Sequence, residues 1–228
     1  MEKKDDLEEW NMKYDAIIFD LDGVICSTDE YHYQAWKKVA DSLKIPFDHS
    51  INNRLRGVSR MESLDIILEN YDGELSLPEK NELAEQKNEI YKSYLEELSE
   101  KDLLSGVEET LEELRKNHFL LAIGSSSKNT PFILKQLGLS DFFDAISDGN
   151  HITHSKPHPE VFLKAAVMLC VEPERCLVVE DAVSGVMAGH AAGMEVACVG
   201  DASDAEAGDY NLKHISELLQ VVGGFVYA

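Results

Sequence analysis

Residues 16–24, Ala16-Ile17-Ile18-Phe19-Asp20-Leu21-Asp22-Gly23-Val24, decide how the rest of the chain reads. Four apolar residues that give way at once to acids and a glycine describe a buried strand whose C-terminal end opens into a loop. Asp20 and Asp22 flank a single residue, so extended backbone projects both carboxylates to the same side. In isolation such a pair is more often two solvated loop acids. Comparable apolar runs recur at 119–123, 176–179 and 196–199, with amphipathic stretches between the later ones. Thr130-Pro131 predicts an N-cap followed by a first-turn proline, Ile133, Leu134 and Leu137 mark one face, and Gly138 supplies the stop. A further helix is expected from about Pro159, carrying Val161, Phe162, Ala165, Ala166 and Leu169. Strands alternating with such helices predict an α/β, Rossmann-like core, a parallel sheet flanked by helices on both faces. Sheets of this kind place their sites at the C-terminal strand ends, where these acids fall.

Outward from the first strand, residues 26–104 read as helical throughout and are far too long for a simple crossover. They predict an inserted α-helical cap domain at 27–104, with the core built from 1–26 and 105–228 and a loose charged extension at 1–12. Ala35, Trp36, Val39, Ala40 and Leu43 share one helix face; Leu83, Ile90, Tyr91, Tyr94, Leu95 and Leu98 share another, which also carries Lys87. A lysine on an apolar face is unusual, although snorkelling at the face edge would explain it.

Composition narrows the functional classes. With 228 residues, 44% hydrophobic and 28% charged, the chain can bury a core without disulfide or metal staples. A net charge of −22 repels polyanions, and no local basic patch offsets it, so neither nucleic acid nor an anionic membrane is an expected partner. No run of about 18 apolar residues is present, and the charged N-terminus lacks the apolar stretch of a secretory signal, which leads us to expect a cytoplasmic protein. Cys26, Cys170, Cys176 and Cys198 form no Cys-x-x-Cys pair and are expected to be reduced thiols without a role. No internal repeat is visible.

Glu180-Asp181 follows directly on the run 176–179, so a second acidic pair should reach the same edge of the sheet as Asp20 and Asp22. Carboxylates converging there repel one another unless a hard cation is present, and oxygen ligands of this type suit Mg²⁺. Ser125 comes just after the run 119–123 and Gly124, where a hydroxyl and backbone N–H groups can hold phosphate oxygens. Lys156, in Ser155-Lys156-Pro157-His158-Pro159, would balance charge in such a cluster, whereas alone it would be a surface cation.

In these segments the chain resembles the haloacid dehalogenase superfamily, whose four ordered motifs are matched by residues 20–24, Ser125, Lys156 and Glu180-Asp181. The resemblance implies that Asp20 attacks phosphorus to form an aspartyl phosphate and that Asp22 is the general acid and base. It also implies one Mg²⁺ held by Asp20, Asp22 through its backbone carbonyl, Glu180 and Asp181, with Ser125, Ser126 and Lys156 holding the phosphoryl oxygens. The cap segments Tyr31–Trp36, Gly57-Val58-Ser59-Arg60 and Lys87-Asn88 resemble the branch whose members move a phosphoryl group between the 1- and 6-positions of glucose. That narrower resemblance implies that Arg60, with Ser127, Lys128 and Asn129, binds the phosphate that is not being transferred. It further implies that His32 and Lys87, with Thr28 nearby, couple cap closure to Asp22, and that Trp36, Gly57, Val58, Ser59 and Ser63 shape the sugar pocket. Hinges are expected near Ser27-Thr28 and Leu104-Ser105. A sugar-phosphate phosphatase keeps the same chemistry with water as acceptor, and a non-enzymatic binding module is the remote alternative. The expected substrate is a small sugar phosphate and the expected state a monomer.

Overall fold

Ile17 and Phe19 turn to one side of the first strand, β1 (Ala16–Phe19), Ala16 and Ile18 turn to the other, and both sides are buried. The structure, a computed structural model, describes residues 12–223. The expected loose extension lies outside them except for Met12, which packs against the apolar cluster on the Ile17 side. After β1 come α1 (Asp29–Ser42), α2 (His49–Asn53), α3 (Arg60–Leu68), α4 (Leu77–Leu95) and α5 (Val107–Lys116). There follow β2 (Leu120–Gly124), α6 (Thr130–Gln136), β3 (Ala145–Ser147), α7 (Glu160–Leu169), β4 (Cys176–Glu180) and α8 (Val183–Ala191). The described chain closes with β5 (Glu195–Cys198), α9 (Gly200–Asp204), β6 (Tyr210–Asn211) and α10 (Leu218–Val222).

All pairings in the sheet are parallel, in the order β3-β2-β1-β4-β5-β6. Phe19 lies opposite Ile123 of β2 and Val179 of β4, so β1 is central and the three strand ends are level. The order reverses at β1, and the crevice there is where open α/β sheets hold ligands. Leu121, Ile123, Leu177 and Val179 continue the Ile17 side against Leu111 and Leu114 of α5, Ile133 and Leu134 of α6, and Leu218 of α10. Ala122, Val178 and Val196 continue the other side against Val161, Phe162 and Ala165 of α7 and Val186 of α8. Each such Val, Leu, Ile or Phe side chain removed from water contributes about 1.5–3 kcal/mol, which is why the strands read as continuous apolar runs.

The insertion between β1 and β2 is helical and has an apolar core of its own, Trp36, Val39, Ala40, Ile45, Phe47, Leu64, Ile67 and Ala84. Ala35, Tyr91, Leu95 and Leu98 instead join the cluster on the Ile17 side of the sheet, so the insertion is seated on the core through α1 and the C-terminal half of α4. Where the chain enters and leaves the insertion the two segments run side by side: Cys26 bridges Leu103 in antiparallel fashion, and the Leu104 N–H donates to the Ile25 carbonyl at 3.0 Å.

Two details depart from expectation. Asn129, not Thr130, is the N-cap of α6; the Thr130 hydroxyl donates to the Ser127 carbonyl at 2.9 Å and is the first helical residue. The strand runs expected at 119–123 and 196–199 shift by one residue, and β3 and β6 were not expected from the sequence. No helix among the described residues is long and apolar enough to cross a membrane.

Candidate active site

Asp20 leaves the end of β1 with its N–H donating to the Val179 carbonyl at 2.9 Å, which fixes its side chain between the ends of β1 and β4. Lys156 reaches the same point from the segment before α7. Its buried ammonium lies 2.5 Å from Asp20 Oδ1 and 2.6 Å from Glu180 Oε1, and 4.7 Å above the Phe162 ring. Burial alone would lower the lysine pKa; the two carboxylates more than offset it and hold the ammonium charged. Glu180 Oε2 accepts the backbone N–H groups of Asp181 and Ala182 at 2.7 and 2.9 Å. Burial pushes Asp20 up to about 7, against the attraction of Lys156 and aided by the charge of Glu180. Burial, and then Glu180 and Asp20, push Asp181 up to about 9.

Oxygens of Asp20, Glu180 and Asp181 lie within 4.8 Å of one another. Three buried acids with hard oxygen donors, two of them, Asp20 and Asp181, with raised pKa values, are the arrangement that a small divalent cation relieves, so these residues fit the expected Mg²⁺. The side chain of Asp22 is not part of this group. Gly23 makes the approach possible: its φ is +87°, and a Cβ there would lie 2.1 Å from Asp181 Oδ2.

Asp22 is turned toward the insertion. Its Oδ1 accepts the Thr28 N–H at 2.6 Å and its Oδ2 accepts the Thr28 hydroxyl at 2.8 Å, while His32 Nε2 stands 3.9 Å from Oδ2. The Thr28 and Tyr91 hydroxyls are 2.8 Å apart. His32 Nδ1 is 2.7 Å from the Lys87 ammonium, which sits 4.2 Å over the Tyr91 ring and 5.2 Å over Trp36. Enclosure in the cleft and the charge of Asp29 raise Asp22 to about 6, with the Thr28 donors pulling the other way. Burial, then Arg60, lowers Lys87 well below the usual lysine range, and burial with Lys87 and Arg60 keeps His32 neutral near pH 7. Lys87 is therefore no snorkelling surface lysine.

A cavity of about 660 Å³ lies between sheet and insertion. Asp20, Asp22, Ser125, Ser126, Ser127, Lys128, Asn129, Glu180 and Asp181 line it from the core; His32, Trp36, Gly57, Val58, Ser59, Arg60, Ser63 and Lys87 line it from the insertion. Lys156 lies behind the wall and acts through Asp20 and Glu180, and Thr28 meets the site through Asp22. Ser59 caps α3, its hydroxyl accepting the Glu62 N–H at 3.3 Å while Glu62 accepts the Ser59 N–H at 2.9 Å. That capping box aims Arg60 at the start of the helix. The Arg60 guanidinium donates to Asn88 Oδ1 at 2.8 Å, and Asn129 of the core donates to the same oxygen at 3.0 Å.

Sequence reading did not single out Arg56. Its guanidinium lies 2.6 Å from Asp29, 3.1 Å from Asp181 and 2.5 Å from Asp201. The carbonyls of Arg56 and Gly57 accept the hydroxyls of Ser184 and Ser126 at 3.2 and 3.0 Å. The loop before α3 is thus fastened to the core directly above the acidic cluster. Gly57 has φ +76°, and a Cβ there would lie 2.4 Å from Ser184 Oγ. The one sequence signal for Arg56 is that it precedes the Gly57–Arg60 segment.

Known proteins resemble this chain in sequence and in fold. The sequence model of the haloacid dehalogenase-like hydrolases matches residues 17–199. The chain is 41% identical over 205 residues, 89% of its length and 91% of the relative's, to a beta-phosphoglucomutase of Bacillus subtilis. It is 33% identical over 184 residues, 79% of its length and 82% of the relative's, to a phosphorylated carbohydrates phosphatase of Thermotoga maritima. The crystal structure of a beta-phosphoglucomutase from Clostridium difficile superposes with a TM-score of 0.86 at 40% identity, covering 90% of this chain and 93% of that one.

Proposed function

We propose, since the chain belongs to the haloacid dehalogenase-like hydrolase family, that it is a beta-phosphoglucomutase. It interconverts beta-D-glucose 1-phosphate and D-glucose 6-phosphate through an aspartyl-phosphate enzyme and beta-glucose 1,6-bisphosphate. The observation that carries this reading is one cavity with a cation toward each end, which we read as two phosphate poles. The nucleophile and its lysine stand at the sheet end, and Arg60, braced by Asn88 and Asn129, stands on the insertion side. A bisphosphate that must bind in both orientations needs both poles; hydrolysis of a monophosphate needs one.

In the forward step a carboxylate oxygen of Asp20 attacks phosphorus, the phosphorus–sugar oxygen bond breaks, and Asp22 gives its proton to the departing oxygen. In the second step Asp22 takes the proton of the other sugar hydroxyl as that oxygen attacks the aspartyl phosphate, which restores free Asp20. Ser125 and Ser126 hold the phosphoryl oxygens, where charge gathers in a loose transition state, and Lys156 offsets that charge from behind Asp20 and Glu180. Arg60 with Ser127, Lys128 and Asn129 holds the other phosphate, and Trp36, Gly57, Val58, Ser59 and Ser63 bound the sugar. Asp20, the Asp22 carbonyl, Glu180 and Asp181 would hold one Mg²⁺, which when bound neutralises phosphoryl charge that would otherwise repel the carboxylate. Residues 27–104 act as the cap, hinged where the two linking segments run side by side. His32, Lys87 and Thr28 hold Asp22 in place only when that cap is closed, so proton transfer waits for a sugar and water is kept from the aspartyl phosphate.

The test is to incubate the enzyme with beta-glucose 1-phosphate, Mg²⁺ and a trace of the bisphosphate, following glucose 6-phosphate and inorganic phosphate together. Glucose 6-phosphate should dominate, and Arg60→Ala should lower kcat/KM by about tenfold to a hundredfold, the worth of a charged hydrogen bond. The Thermotoga relative gives the second reading, a sugar-phosphate phosphatase, some support. Inorganic phosphate without glucose 6-phosphate, with Arg60→Ala nearly as active, would establish it instead.

A further inference from the structure

Away from the cavity, His154, His158 and Glu160 bring ligand atoms within 4.8 Å of one another. The two imidazoles bracket Lys156 in sequence, and Glu160 opens α7. The rings lie 4.6 Å apart, tilted by 31°, and both are exposed. Glu160 is already fixed: its Oε2 accepts the backbone N–H groups of Thr153 and His154 at 3.1 and 2.8 Å, and Lys164 pairs with its Oε1 at 2.7 Å. His154 Nδ1 stands 3.2 Å from the same Oε2. The Glu160 N–H reaches His158 Nδ1 at 3.3 Å, a weak contact that a ligand at that nitrogen would replace.

We propose that His154, His158 and Glu160 form a second metal site, separate from the carboxylate cluster, for a transition-metal dication of the zinc class. Two imidazole nitrogens and one carboxylate oxygen are the donor set of three-ligand zinc sites that keep an open position, whereas Mg²⁺ selects oxygen alone. Tetrahedral bonds of about 2.1 Å put ligand atoms roughly 3.4 Å apart. The His154 to Glu160 separation already has that length, and the exposed His158 ring is free to rotate the remaining distance. The carboxylate has the outer hydrogen-bond partners that orient metal ligands. The ligands flank Lys156, so an ion there closes the segment 154–160 into a ring around the residue that neutralises Asp20 and Glu180. The net charge of −22 favours a dication anywhere on this surface; the imidazole pair is what makes this position selective.

The experiment uses untagged, metal-stripped protein kept in excess Mg²⁺, titrated with Co²⁺ and then Zn²⁺. One equivalent of Co²⁺ should give visible d–d absorption, be displaced by one equivalent of Zn²⁺, and resist Mg²⁺. The His154→Ala/His158→Ala variant should lose that equivalent while keeping the wild-type melting temperature and Mg²⁺-dependent turnover. Glu160→Gln should weaken binding about tenfold or more. Unchanged stoichiometry and affinity in the double variant, or no bound Co²⁺ in the wild type, would overturn the proposal.

Discussion

Asp22 shows how a single carboxylate is tuned by residues that never meet the substrate's phosphorus. Its pKa of about 6 is the balance of enclosure and Asp29 against two donors from Thr28. Thr28→Val deletes the hydroxyl donor and keeps the backbone one. A hydrogen bond to a charged group is worth about 1.5–3 kcal/mol, so Asp22 should rise by about one to two pH units. The group must be deprotonated to accept the sugar proton, so the acidic limb of the kcat/KM profile should move to higher pH by that amount. An unmoved limb would mean that Asp22 is not the base. The variant also strands the Tyr91 hydroxyl, at a cost of about 1–3 kcal/mol that thermal melting reads separately. Asp20, Asp22, Ser125 and Glu180-Asp181 were legible in the sequence because each ends or follows an apolar strand run, and strand ends in a parallel sheet share one edge. Lys156 was legible only in their company. Tyr91 was not legible as a polar partner, since on its helix face it has the period of a core residue.

At the scale of elements, the loop between α2 and α3 carries its cation onto the end of β4. Arg56 at 3.1 Å from Asp181 competes with a divalent ion for the same carboxylate. Arg56→Ala should therefore tighten Mg²⁺ binding. With the guanidinium mostly enclosed and Asp181 buried, the pair is worth at least the roughly 1 kcal/mol of an exposed ion pair, a factor of about five or more in affinity. Calorimetry of Mg²⁺, or Mn²⁺ followed by paramagnetic resonance, measures it without turnover, and weaker binding would show that Arg56 organises the cluster. KM for the sugar phosphate should rise in the same variant, because the loop loses one of its fastenings to the core while the Ser126 and Ser184 contacts remain. The sequence hid this bridge because Arg56 and Asp201 are 145 positions apart, the first in a polar loop and the second in the first turn of the five-residue α9, where no periodicity marks either. It hid β3 and β6 for another reason: strands of three and two residues are shorter than any alternation that could announce them. The α6 cap moved by one residue: Asn129, which a threonine-proline signal overlooks, precedes the first helical residue without a side-chain cap bond and gives its side chain to Asn88 instead.

For the whole molecule, a charge of −22 is spread over a surface that repels further anions, yet the site gathers three acids and must admit a phosphate. Lys156 and Arg56 offset only part of that charge, and the raised pKa values of Asp22, Asp20 and Asp181, about 6, about 7 and about 9, record the remainder. An unfolded aspartate releases its proton near pH 3.9. Between about pH 4 and about pH 9 the folded cluster therefore holds protons that the unfolded chain has lost, and stability contributed by the cluster falls as pH rises. Chelated protein should melt at progressively lower temperature from pH 5 to pH 8.5. Mg²⁺ binds the folded cluster only, and binds it better as the acids ionise, so its stabilisation grows across the same range. Melting curves at several pH values, with chelator and with excess Mg²⁺, should diverge toward alkaline pH. A gain from Mg²⁺ that stayed constant or shrank with rising pH would show that these carboxylates are not its ligands.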